Sequence, residues 1–165
     1  MHIMDKTIKF LEDAKYLISD KDRWCKDNFA TYLSYDQSKT STFATNKKAC
    51  QWCASGAMVK TFADHYNDKY RLIKDKADVG DAGFIIQAVE DDLVFAWAMT
   101  FLASVVDENG FRNAYLRVYD FNDNKETTHE DVIKAFDNAI TELIKRNDSL
   151  DRKRGFPKKP PITTE

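Results

Sequence analysis

The chain has 165 residues, 43% apolar and 32% charged, with only five glycines and three prolines; that length suits a single domain needing no disulfide or metal to fold, and so few turn-formers argue against a many-stranded β-sandwich. The net charge of −2 is uneven: Lys145, Arg146, Arg152, Lys153, Arg154, Lys158 and Lys159 face only Asp148, Asp151 and Glu165 at the C-terminal end, leaving 18 basic and 24 acidic groups in residues 1–144, a net of −6. An acidic body argues against non-specific nucleic-acid binding, because neutralising phosphates supplies most of that affinity.

The start, Met1-His2-Ile3-Met4-Asp5-Lys6, is polar and lacks the apolar core of a secretion signal. A first helix is predicted over residues 5–19, where Ile8, Leu11, Ala14, Leu17 and Ile18 recur at helical spacing. Residues 24–46 read as irregular and aromatic, with short strands over 29–35 and a Ser/Thr-rich loop over 38–42. A second helix is expected to begin at Thr45 or Asn46, either of which can cap it. It carries Trp52, Cys53, Gly56 and Ala57 on one side, and the small residues at 53, 54, 56 and 57 admit another backbone. Residues 67–80 are charged and read as a connector. A third helix over 81–106, with a break near Glu90-Asp91-Asp92, is apolar nearly all round in its second half and is therefore the expected centre of the fold. Its most apolar run, 93–106, falls short of the ~20 residues that span a bilayer. Asn109-Gly110 is the expected stop, and residues 111–121 fit either an extended or a helical segment. Thr127-Thr128-His129-Glu130 forms a capping-box pattern ahead of the stripe Val132, Phe136, Ala139, Ile140, Leu143 and Ile144. The expected domain is 1–147, with a disordered, basic, Pro-containing tail over 148–165.

Three segments together carry a resemblance. They are Trp24-Cys25, then Trp52-Cys53-Ala54-Ser55-Gly56-Ala57, and Phe121-Asn122-Asp123 followed by a Thr and by Asp131-Val132. In these the chain resembles an uncharacterised family of small bacterial and phage proteins, a domain of unknown function with a Cys-Ala-x-Gly-Ala helix. It departs from that family by polar insertions around 31–45 and 67–80 and by Phe121 where a Trp is expected. The resemblance implies a compact α-rich domain and no activity. Neither segment 53–57 nor segment 121–123 is explained by its own local structure, so the two are expected to meet, with Asn122 and Asp123 bonding buried backbone near Cys53 or Trp24.

Four patterns bear on chemistry. Cys50, Cys53, Cys25 and His65 are zinc-ligand types, but the Cys50-x-x-Cys53 pair falls on the expected helix, and free cysteines are commonly core residues. Their odd number, three, suggests reduced thiols in a cytoplasm. Cys53 or Cys25 as nucleophile, His129 as base and Asn122 or Asp123 as orienting group would make a Cys/His arrangement; His129 stands in a helix's first turn, where the helix dipole disfavours positive charge. Asp120, Asn122, Asn124, Glu126, Thr128 and Asp131 place oxygens at the positions of a calcium loop, although Lys125 replaces the turn glycine; the competing reading is an Asx-rich turn before a capped helix. Trp24, Tyr32, Tyr35 and Phe43 lie in polar surroundings, as in a protein-binding surface or a cap on the bundle.

The expected fold is mainly α, a compact bundle of four or five helices with a small β-hairpin. The expected function is a non-enzymatic protein-binding module, an inhibitor or adaptor acting on a host protein, with no cofactor and no membrane or nucleic-acid partner. The alternative is a small hydrolase or transferase using the Cys/His or Asn/Asp cluster. The expected location is cytoplasmic, in the host cytoplasm for a phage-encoded chain.

Overall fold

A computed structural model describes residues 2–76, 80–107 and 113–153. Its elements run α1 (Ile3–Leu17), a single 3-10 turn (Lys21–Arg23), β1 (Ala30–Leu33), β2 (Lys39–Thr42), β3 (Gln51–Trp52), α2 (Ala54–His65), α3 (Asn67–Lys76), α4 (Asp81–Asp91), α5 (Leu93–Val106), α6 (Ala114–Asp123) and α7 (His129–Lys153). The described residues thus hold seven helices rather than four or five, with a three-stranded antiparallel sheet of order β2-β1-β3.

Helix α5 is central, packing against α1, α4, α6 and α7, as its apolar composition requires. Phe10 of α1, Phe62 of α2, Phe84 of α4 and Phe95 of α5 are buried together. Phe62 meets Phe95 edge-on with ring centroids 5.5 Å apart, and Phe84 meets Phe95 likewise at 6.0 Å, the favoured aromatic geometry. The stripe on α7 buries Val132, Phe136, Ala139, Ile140 and Leu143, while Ile144 is exposed. The capping box closes one residue later than the Thr127–Glu130 pairing: Asp131 accepts from the Thr128 amide at 2.8 Å, and Thr128 Oγ1 accepts from the Asp131 amide at 3.2 Å.

Agreements and departures alike trace to identifiable contacts. Residues 81–106 split where expected, because the Asp92 side chain accepts from the Phe95 amide at 3.0 Å and caps α5. The connector 67–80 contains α3, which buries Ile73. The helix expected from residue 45 begins only at Ala54. Asn46 caps a turn instead, accepting from the Lys48 amide at 2.9 Å, and Gln51–Trp52 pair with β1 as β3, both buried. The ring nitrogen of Trp52 donates to the Ala44 carbonyl at 2.8 Å, so a tertiary contact holds the segment extended against its helical pattern. Segment 111–121 contributes α6, capped by Asn113; the stop at Asn109-Gly110 lies outside the described residues. Helix α7 continues to Lys153, past the boundary expected at 147, and Asn147 donates to Asp5 of α1 at 3.0 Å. The tail beyond 153 lies outside the described residues. Among the described residues no helix is long and apolar enough to cross a membrane.

Candidate functional site

The segments 53–57 and 121–123 do meet, and Asn122 stands between them. It is 1% exposed. Its Oδ1 accepts from the Trp24 ring nitrogen at 2.9 Å and from the Ala54 amide at 3.1 Å. Its Nδ2 donates to the Cys25 carbonyl at 3.2 Å and to Asp123 Oδ1 at 2.9 Å. Asp123 Oδ1 also accepts from the Asp27 amide at 3.0 Å. One side chain thus joins α6, the start of α2 and the loop before β1, and fills its hydrogen-bonding capacity doing so.

Gly56 explains why the backbones come this close. A Cβ built there would lie 1.9 Å from the Phe29 carbonyl oxygen, and that same oxygen accepts from the Cys53 amide at 3.1 Å. Ser55 is buried beside it, and among the described residues its hydroxyl has no hydrogen-bond partner.

The thiols are arranged as structure. Cys53 caps α2, its sulfur accepting from the Gly56 amide at 3.3 Å, and burial pushes its pKa far up. Burial, then the Asp123 carboxylate, pushes Cys25 up to about 12. Both therefore stay protonated near neutrality, and the thiolate is the nucleophile. His129 Nε2 donates to the Ile18 carbonyl at 2.7 Å, and its ring lies 5.6 Å from that of Trp24; among the described residues no hydrogen bond joins it to a cysteine. The Cys/His arrangement is thus not assembled.

Neither metal pattern is assembled. Asp120 and Asn122 belong to α6, so the alternating oxygens are wound on a helix instead of lining a loop. Asn124 Oδ1 accepts from the Glu126 amide at 2.9 Å, an Asx turn, and Asp131 caps α7. Of the zinc types, Cys50 is exposed while Cys25 and Cys53 are buried, and His65 lies at the far end of α2 from Cys53, some ~18 Å along the axis. Among the described residues no group of three or more His, Cys, Asp or Glu is placed to hold a metal.

The four aromatics divide. Trp24 is half-buried in the Asn122 junction. Tyr32 is half-buried, with the Lys48 ammonium 5.9 Å from its ring. Tyr35 is fully exposed and Phe43 56% exposed, and Leu33, 53% exposed, joins them. All three lie on or beside the β1–β2 hairpin, whose tip is rigidly bonded. The Ser34 amide donates to the Ser38 carbonyl at 2.9 Å. Asp36 accepts from Ser34, from Ser38 Oγ at 2.7 Å and from the Ser38 amide at 3.0 Å. These bonds hold the Asp36 carboxyl down at about 2.

Beside this hairpin the structure opens a cleft of about 560 Å³, which residue patterns did not reveal. Asp27, Phe29, Ser41, Thr42, Phe43, Asp81 and Tyr119 are among its lining residues. Asp81 is 7% exposed; Oδ2 accepts from the Ala44 amide at 2.8 Å, and among the described residues Oδ1 has no partner. Desolvation raises its pKa against that bond and the Lys74 charge. In sequence Asp81 looks like any acid in a helix's first turn; its partner, Ala44, is remote in the chain and carries no marker.

The junction and the cleft lie within a stretch that matches a known family model. The chain belongs to DUF6197, a family of unknown function, over residues 4–142. All three segments that carried the family resemblance fall within that range. No curated protein and no solved structure matches the chain.

Proposed function

We propose that this chain is a non-enzymatic protein-binding module, an inhibitor or adaptor in the cytoplasm, that engages its partner through the β1–β2 hairpin. The observation that carries this reading is a contrast in use. Every candidate nucleophile, base and orienting group is spent inside the fold, whereas Leu33, Tyr35 and Phe43 are turned to solvent on a stiffened hairpin. Exposed aromatics on a pre-ordered element bind with little ordering cost. The alternative, a hydrolase or transferase, requires Cys53 or Cys25 to ionise or His129 to leave the Ile18 carbonyl, and the geometry favours neither.

The test is photo-crosslinking in native lysate from a benzophenone amino acid placed at position 35, against the same probe at Tyr16, which is 74% exposed on α1. A discrete adduct from position 35 alone, lost when Phe43→Ser is added, supports the reading. Indistinguishable patterns from both positions overturn it.

A further inference from the structure

Resting on the protein-binding reading, we infer that the cleft beside β2 receives an arginine side chain from an extended partner segment that adds as a fourth strand to the β2 edge.

The cleft is a built cavity whose lining contains Asp27 and Asp81 and no lysine or arginine. Asp81 adds a demand for a ligand there. It is more than nine-tenths buried, lines the cleft, and leaves one carboxylate oxygen without a partner among the described residues. A buried, incompletely bonded carboxylate is costly, and a cation supplied by a ligand offsets that cost. The chain's own nearby cation, Lys74, has its ammonium 5.8 Å from the Tyr70 ring and makes no ion pair with Asp81 among the described residues. The aromatic residues Phe29, Phe43 and Tyr119 complete the walls. Carboxylates between aromatic faces suit a guanidinium, which is planar, stacks on rings and bonds carboxylates through a fork of N–H groups.

The strand order places the open edge beside this cavity. β2 pairs with β1 on one side and with no described strand on the other, and Ser41 and Thr42 of β2 line the cleft. A peptide that adds to such an edge gains main-chain hydrogen bonds for affinity, and pockets for alternate side chains give specificity. Phe43, immediately past the strand, serves both the hairpin surface and the cleft wall.

The probe is the capped pentapeptide Thr-Val-Arg-Val-Thr, titrated into the full chain and followed by amide NMR shifts, with Thr-Val-Gln-Val-Thr and Thr-Val-Glu-Val-Thr as controls. The expected result is saturable shifts at residues 39–43 and 80–82, with the Arg peptide binding about tenfold or more tighter than the Gln peptide, as a lost charge-assisted bond implies. Asp81→Asn keeps an acceptor for the Ala44 amide and is expected to erase that difference; Asp27→Asn, on an exposed residue, is expected to narrow it without touching the core. Equal binding of the Arg and Gln peptides overturns the inference, as do shifts confined to other regions or no shifts at all. The crosslink from position 35 is scored separately, so this inference can fail while the protein-binding reading stands.

Discussion

The Asn122 junction and the hairpin with its cleft draw on the same polar residue types, Asn and Asp, for opposite ends. At the junction every side-chain polar atom of Asn122 is bonded, to the Trp24 indole, the Ala54 amide, the Cys25 carbonyl and Asp123. At the hairpin and cleft, Tyr35 touches solvent over its whole surface, and Asp81 is buried with a carboxylate oxygen that no described group bonds. The difference teaches that residue identity does not separate a structural cluster from a working one. Satisfaction does, because a fully bonded polar group has nothing left to offer a ligand.

The sharpest way to break the comparison is at Gly56. Gly56→Ala drives a Cβ into the Phe29 carbonyl, where backbone and not a flexible side chain must move. The expected loss is about 3 kcal/mol or more, read as a denaturant midpoint. A midpoint close to that of the native chain would mean the junction is loose. Asn122→Ala is expected to cost slightly less, about 2–3 kcal/mol, by orphaning the Ala54 amide and the Trp24 ring nitrogen. Ser55→Ala beside it removes a buried hydroxyl that has no partner among the described residues and is expected to be within about 0.5 kcal/mol of neutral, or stabilising.

Asp81 gives a comparison of opposite sign. Its folded pKa is raised, so its favourable contribution is fully present below the ordinary carboxylate range and is lost as pH rises through the folded value. Asp81→Asn is therefore expected to raise the melting temperature at pH 7, with the gain shrinking as pH falls towards 4. A pH-independent or negative effect would show that Asp81 is satisfied after all, like Asn122. The smallest effect is chemical. A thiol reagent added to the native chain is expected to modify Cys50 and spare Cys25 and Cys53. Rapid labelling of Cys53 would return it to the list of nucleophiles.

Much of this was legible in the sequence where local pattern and burial agree. The α7 stripe, the central 93–106 segment and the break at Asp92 follow from periodicity and capping. The meeting of 53–57 with 121–123 was legible for another reason: small residues invite close approach, and Asn and Asp can bond what approaches. Where long-range contacts override local pattern, the reading failed. Residues 45–53 have a helical spacing, yet β1 and the Ala44 carbonyl hold Gln51 and Trp52 extended. Asp120 and Asn122 alternate like loop ligands but lie on α6. The cleft was invisible because Asp27, Thr42 and Asp81 come from three distant stretches, and no spacing rule joins them.

The most direct measurement sets the two regions against each other in one assay. Asn122→Ala and Tyr35→Ser are both brought to a temperature at which circular dichroism shows them folded, and each is tested for an adduct with the benzophenone amino acid moved from position 35 to position 43. If the junction holds the fold and the hairpin holds the partner, Asn122→Ala crosslinks like the native chain and Tyr35→Ser does not. A folded Asn122→Ala that has lost the adduct, beside a Tyr35→Ser that keeps it, would contradict this and move the working site to the junction.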